Sequence, residues 1–122
     1  MAVSALSPAV IVADIHTTRD FYTQYLGLQV LAENGWYVSV GNDKGSIAFQ
    51  LPYSPFVHEC LENAFGAKGL LLGVVVDDVD AALAAFQAGG VTIACDMRTE
   101  TSGERHFFVC DPNGIVLNVT NS

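Results

Sequence analysis

Basic residues are scarce. Five Lys and Arg stand against thirteen Asp and Glu in 122 residues, a formal net charge of −8. Without a basic patch nothing displaces counterions from a phosphate backbone, so nucleic acid is excluded as a partner. Charge of either sign is thin, 15% of residues, where about 25% is usual. Hydrophobic residues make up 51% and mean hydropathy is +0.37, the reverse of the balance in a disordered chain. Long apolar runs are also missing. The longest, residues 69–76, is strand-sized and far short of the ~20 residues that span a bilayer, so no membrane association is expected. Residues 1–13 carry no basic segment and no signal-peptide layout. Cysteine is limited to Cys60, Cys95 and Cys110, with no CxxC spacing. An odd, scattered set excludes a disulfide framework or zinc knuckle and points to a reducing, cytoplasmic setting. The length is that of one domain, expected over residues 1–122.

What is present alternates short apolar runs with turn residues. Residues 8–13 (PAVIVA) predict a strand. A helix is expected from Thr17, with Thr17 or Thr18 as N-cap, Asp20 in the first turn, Phe21, Tyr22, Tyr25 and Leu26 at helical spacing, and Gly27 as a left-handed stop. Residues 28–32 and 36–40 predict two strands joined at Asn34-Gly35, the sequence of a type I′ turn. A turn at Asn42-Asp43-Lys44-Gly45 leads to a strand at 46–51. After a link over residues 52–68, containing Pro52 and Pro55, the order repeats. It runs through a strand at 70–76, a helix opened by Asp77-Asp78-Val79-Asp80 and stopped by Gly89-Gly90, a strand at 91–95 and a polar loop at 97–103. Strands at 105–110 and 115–120 follow, joined by Asp111-Pro112-Asn113-Gly114. The helix would bury Val79, Leu83 and Phe86. Both halves read β-α-β-β-β, and Val12-Ala13-Asp14-Ile15 aligns with Val76-Asp77-Asp78-Val79, as an internal duplication requires. The expected class is α+β, with modules at about 7–51 and 69–121.

These residues resemble a known family. Val12-Ala13-Asp14-Ile15, Phe21-Tyr22 and Leu26-Gly27-Leu28 are similar to the opening of the vicinal-oxygen-chelate superfamily, the glyoxalase, bleomycin-resistance and dioxygenase group. Val76 to Asp80 with Gly89-Gly90-Val91 resembles its second-module opening, and Arg105, Phe107 and Asp111 to Gly114 its closing hairpin. The resemblance implies two tandem βαβββ modules forming a curved mixed sheet with a cup-shaped cavity, and a homodimer. It also places the family's metal-ligand positions at Ser7, Leu71, Asn118 and either Phe49 or Gln50. Leu71 cannot ligate, Ser7 and Asn118 are poor ligands, and only Gln50 is suitable. The expectation is therefore no metal and no cofactor.

The remaining candidates are few. His16 at a helix start reads as exposed structure, and His58 with Glu62 at i, i+4 as a solvated face of the link. Arg105 and His106 are neighbours on a strand, so one points inward and the other outward. Arg105 is assigned to the cup, against an ion pair with a turn acid such as Asp111. No serine or cysteine sits in a nucleophile setting, and no glycine loop suits a phosphate. Alternation sends Trp36 or Tyr37, and Phe107 or Phe108, to the concave side, where aromatic walls suit a planar ligand. Tyr53, Phe56 and Phe65 of the link suit a lid or a dimer contact.

The chain is accordingly expected to be a small-molecule-binding protein of the bleomycin-resistance-like branch. It would sequester a planar or partly aromatic, possibly cationic compound without chemistry. The lining residues are expected to be Trp36, Gln50, Arg105, Phe107 and Asn118, with no catalytic residue. The alternatives are a glyoxalase- or dioxygenase-type lyase or isomerase with a displaced or absent metal, and a module that binds another protein. Net acidity is only part of the case for a cation. Seven of the thirteen acids sit at helix starts or turns, where negative charge is locally favoured. Glu59, Glu62, Glu100 and Glu104 are among the rest.

Overall fold

The computed structural model describes residues 1–52 and 68–121. The chain divides into two compact units, Met1–Ala67 and Lys68–Ser122, and the division falls in the link that the sequence marks. The first unit contains β1 (Ala9–Ile11), α1 (Ile15–Leu26), β2 (Gln29–Glu33), β3 (Tyr37–Asn42) and β4 (Gly45–Gln50). The second contains β5 (Leu71–Val76), α2 (Val79–Ala88), β6 (Ile93–Thr99), β7 (Arg105–Cys110) and β8 (Val116–Asn121). Each is a βαβββ module with a four-stranded mixed sheet, ordered β1-β4-β3-β2 in one and β5-β8-β7-β6 in the other. The first strand of each pairs parallel with the last, and the other pairs are antiparallel. Among the described residues no helix is long and apolar enough to cross a membrane.

Both helices start on an aspartate. The Asp14 carboxylate accepts from the His16 and Thr17 backbone N–H groups at 3.0 Å and from the Thr17 hydroxyl at 2.9 Å. Asp14, rather than Thr17 or Thr18, is therefore the N-cap, and α1 begins earlier than expected. The Thr17 backbone N–H and hydroxyl hold the Asp14 carboxyl below its ordinary pKa. Thr18 is buried instead, its hydroxyl donating to the Asp14 carbonyl at 2.7 Å. Asp78 caps α2 in the same way through the Ala81 N–H. Gly27 takes the left-handed conformation that stops α1.

The helix-facing side of each sheet forms its core. In the first module Val10, Val38, Val40, Ile47 and Phe49 are buried, with Phe49 tilted against Tyr22 of α1 at 4.8 Å. In the second, Phe107, Val109, Leu117 and Val119 are buried, with Phe107 edge-on to Phe86 of α2 at 5.9 Å. Val79 and Phe86 are the buried residues of α2, whereas Leu83 is only half-buried.

Two turns depart from expectation. Gly35 is not among the glycines with positive φ, so Asn34-Gly35 is not a type I′ turn. Asn34 instead accepts the Trp36 N–H on its side chain and closes the loop by donating its own N–H to the Tyr37 carbonyl. Residues 97–99, expected in a loop, continue β6, whose register shifts twice before Arg98. Those irregularities absorb extra residues within the strand. Gly41 is demanded by space: a Cβ there would lie 2.4 Å from the Gly45 carbonyl oxygen and 2.6 Å from the Ser46 Cβ. Gly41→Ala is expected to lower stability by about 1–3 kcal/mol through overpacking, read from the urea midpoint.

Candidate functional site

One face of each sheet is turned away from its helix, and strand alternation decides which side chains it presents. In the second module these are His106, Phe108 and Cys110 on β7, Val116, Asn118 and Thr120 on β8, and Leu71, Gly73 and Val75 on β5, as the pairings of these strands require. Leu71 and Val75 are 54% and 64% exposed, and Phe108 and Asn118 are half-buried. In the first module the corresponding face carries Tyr37, Ser39, Ala48 and Gln50, with Tyr37 opposite Gln50 in register.

The expected lining residues divide between these faces and the cores. Gln50 and Asn118 lie on the helix-free faces. Trp36 stands in the β2–β3 connection, half-buried and edge-on to Tyr37 at 5.8 Å. Phe107 is a correction: it is fully buried beneath α2, and Phe108 is the aromatic that faces outward. Arg105 is a second. Its guanidinium reaches Asp80 in the first turn of α2 through two hydrogen bonds, at 2.7 and 3.2 Å, and donates to Thr99 at 2.9 Å. This clamp, made with Asp80 rather than Asp111, holds the Asp80 carboxyl below its ordinary pKa. The link residues Tyr53, Phe56, His58, Glu59, Cys60, Glu62 and Phe65 lie outside the described residues.

With Arg105 on the helix side, His106 necessarily takes the other face. Its imidazole is only 12% exposed. Nδ1 lies 2.9 Å from Asn118 Oδ1, and Nε2 lies 3.5 Å from Glu100 Oε1. Glu104 Oε1 stands 3.8 Å from Nδ1, while Glu104 Oε2 accepts from the Thr120 hydroxyl at 3.0 Å. Arg98, the partner of His106 in register, reaches Glu100 at 2.6 Å. An Asn118 Oδ1 that accepts fixes a proton on Nδ1, and the Glu100 carboxylate can only accept a second proton from Nε2. The Asn118 hydrogen bond first, then the Glu100 contact and the charges of Glu104 and Glu100, raise the His106 pKa above its ordinary value despite partial burial. The folded state thus binds the proton more tightly than the unfolded chain. His106 stabilises the fold fully below the unfolded histidine value of about 6.5, and that contribution fades as pH rises through the higher folded value. His106→Gln is expected to flatten this part of a stability profile measured from pH 5.5 to 8.5 (about the histidine range).

The turn alone would have misled. Counting outward from residues 111–114 pairs Cys110 with Ile115, and so His106 with Val119 and Phe107 with Asn118. The connection in fact includes Ile115, whose carbonyl accepts the Asp111 N–H, and this one-residue shift pairs His106 with Thr120 and Phe107 with Val119.

The family-type metal set does not fit these residues. Leu71 offers no donor atom, and the Asn118 oxygen is engaged by His106. Ser7 is exposed and precedes β1. Phe49 is in the core, which leaves Gln50 alone on the outward face. Among the described residues no three His, Cys, Asp or Glu side chains converge to hold a metal ion.

Known proteins share this architecture. The model of the Glyoxalase/Bleomycin resistance protein/Dioxygenase superfamily matches residues 5–119. A protein of unknown function from Agrobacterium tumefaciens is 26% identical, with 100% of this chain and 96% of that one covered and a TM-score of 0.76. An integron cassette protein from the mobile metagenome of V. Cholerae is 26% identical over 99% of this chain and 97% of that one, with a TM-score of 0.74. Lactoylglutathione lyase from Agrobacterium tumefaciens, 20% identical, covers 100% of this chain and 96% of its own, with a TM-score of 0.75, and shows a shared fold. No curated protein matches the sequence. Two βαβββ modules and a family match over almost the whole length lead to one assignment: the chain belongs to the glyoxalase/bleomycin resistance/dioxygenase superfamily.

Proposed function

We propose that this protein binds a small planar or partly aromatic compound, favouring a cationic one, and sequesters it without transforming it. The observation that carries the reading is the helix-free face of the second module. There, exposed Leu71 and Val75 and half-buried Phe108 surround the His106–Asn118 pair. An apolar platform with a few fixed polar groups is the chemistry of a small-molecule site. The aromatic ring supplies stacking, Asn118 and His106 orient a polar substituent, and Glu100 and Glu104 supply negative charge at the rim. The net charge of −8 adds long-range attraction for a cation. In this reading a cytoplasmic homodimer covers the site. The bleomycin-resistance-like branch is the part of the family whose task this describes.

Isothermal titration against a panel of planar cationic, neutral and anionic aromatic compounds tests the proposal, alongside survival of cells that express the protein. The quenching of Trp36, the single tryptophan, gives a second readout. Saturable binding of planar cations, weakened at least tenfold by Phe108→Ala (about 1.4 kcal/mol), together with protection of cells, is the expected result. Turnover of a bound compound, or a stoichiometric divalent ion in the purified protein, would favour the enzymatic reading instead. Absence of binding and of protection across the panel would overturn sequestration.

A further inference from the structure

The His106 cluster is unmatched in the other half of the duplication. Tyr37 pairs with Gln50 as His106 pairs with Thr120, and Ala9 pairs with Ala48 as Gly73 pairs with Asn118. The first module therefore has Tyr37 where the second has His106, Ala48 where it has Asn118, and Gln50 where it has Thr120. An imidazole joined to Asn118 and faced by two carboxylates is an addition to the repeated frame.

The carboxylates arrive from one short turn. Glu100 N–H donates to the Glu104 carbonyl at 2.7 Å and Gly103 N–H to the Glu100 carbonyl at 3.0 Å. Gly103 takes a φ of 94° that suits glycine. This closure brings Glu100 to one ring nitrogen of His106 and Glu104 to the other. Among the described residues the charged groups facing the imidazole are Arg98 from β6 and Glu100 and Glu104 from the turn, and β8 presents only the uncharged Asn118 and Thr120. Asp80 and Arg105 are engaged with each other on the helix side. With the ring protonated, two positive groups balance two carboxylates. With it neutral, one carboxylate charge is left over, and Nε2 has no proton to offer Glu100.

We infer that His106, Glu100 and Glu104 form a proton-operated latch at the edge of the helix-free face. It is closed while the imidazolium bridges the two carboxylates. It opens when the ring is neutral, leaving one carboxylate charge that Arg98 does not balance to receive a cationic group. The latch stands on the geometry of the cluster alone, and its use in admitting a cation rests on the binding function proposed above. Uptake of a cation and release of the His106 proton would then be coupled, because both compete for the same two acids.

The test needs no ligand, so its failure is distinguishable from failure of the binding reading. The His106 ring is titrated by NMR in the wild type and in Glu100→Gln and Glu104→Gln, with carboxyl 13C shifts of both glutamates and amide exchange across residues 100–104. The latch predicts a His106 midpoint above that of exposed histidine, lowered by each substitution. It further predicts carboxyl shifts that move with the same midpoint, and exchange that rises several-fold above it after correction for intrinsic chemistry. His106→Gln should abolish the pH dependence of exchange, and if that variant does not fold, the two near-isosteric Gln variants decide the matter. A midpoint at or below the ordinary histidine value, a midpoint indifferent to both glutamates, or unchanged exchange across the titration would each overturn it.

Discussion

Phe107→Ala is expected to lower stability by about 3–5 kcal/mol, the range for removing a large buried aromatic side chain. Its neighbour Phe108→Ala should cost well under half of that. The two residues are adjacent on β7, and the difference is wholly one of face. Phe107 is fully buried, edge-on to Phe86, on the side that carries Val109, Leu117 and Val119. Removing its ring leaves a void beneath α2 that the closely packed side chains around it, Val109 and Val119 held to few rotamers among them, cannot close. Phe108 is half-buried on the opposite face, beside His106 at 5.3 Å between ring centroids, and truncation there can be refilled by water. Urea denaturation of both variants measures the contrast, which should appear as a shift of midpoint at unchanged slope. Ligand binding should invert the order, with Phe108→Ala weakening it and the folded fraction of Phe107→Ala retaining it. Equal stability losses at the two positions would remove the face assignment on which the candidate site depends.

The fold was legible because its punctuation is local. Gly27, the Asp111-to-Gly114 turn and the Asp14 and Asp78 signatures each act through neighbouring backbone groups. Their effects are readable from spacing, and so is the repeat of one module by the other. Some local readings still failed because a stronger competitor was nearby. Thr17 could have capped α1, but the Asp14 carboxylate collects the same N–H groups and the Thr17 hydroxyl as well. Asn34-Gly35 has the composition of a type I′ turn, but Asn34 spends its side chain on the Trp36 N–H and a longer loop forms. The site was harder to read because it depends on the phase of each strand. Alternation established that Arg105 and His106 diverge, and that Phe107 and Phe108 diverge. Choosing between them required the β7–β8 register, which couples His106 to Thr120 and Phe108 to Asn118. The approach of Glu100 and Glu104 could not be read at all. It depends on β6 continuing to Thr99 with shifted register, so that a tight turn carries both acids back over the sheet.

Asp111→Ala is expected to cost about 2–4 kcal/mol, more than the change of any exposed acid in the chain, with Asp111→Asn recovering roughly half. Asp111 is 5% exposed. One carboxylate oxygen accepts from the Asn113 and Ile115 backbone N–H groups, both at 2.8 Å, and the other from the Asn113 side chain at 3.1 Å. Its own N–H donates to the Ile115 carbonyl at 2.9 Å, and its carbonyl accepts from Gly114, a glycine with φ of 83°. Hydrogen bonds to a charged acceptor contribute about 1.5–3 kcal/mol each, and a buried donor left unpaired costs about 1–3 kcal/mol. Ile115 is itself buried, so water cannot readily replace the lost acceptor at its N–H. Asparagine keeps one oxygen in place and loses the charge, which is why only part of the loss should remain. The consequence extends beyond stability, because this turn sets the pairing of β7 with β8. A loosened turn relaxes the register that brings His106 to Thr120 and Asn118. In Asp111→Ala the NMR midpoint of His106 should therefore fall toward the ordinary histidine value, although the substitution lies five residues from His106 along the chain and touches none of the groups around the ring. A variant that loses stability while the His106 midpoint stays fixed would show that the β7–β8 register is held by the sheet itself rather than by its turn.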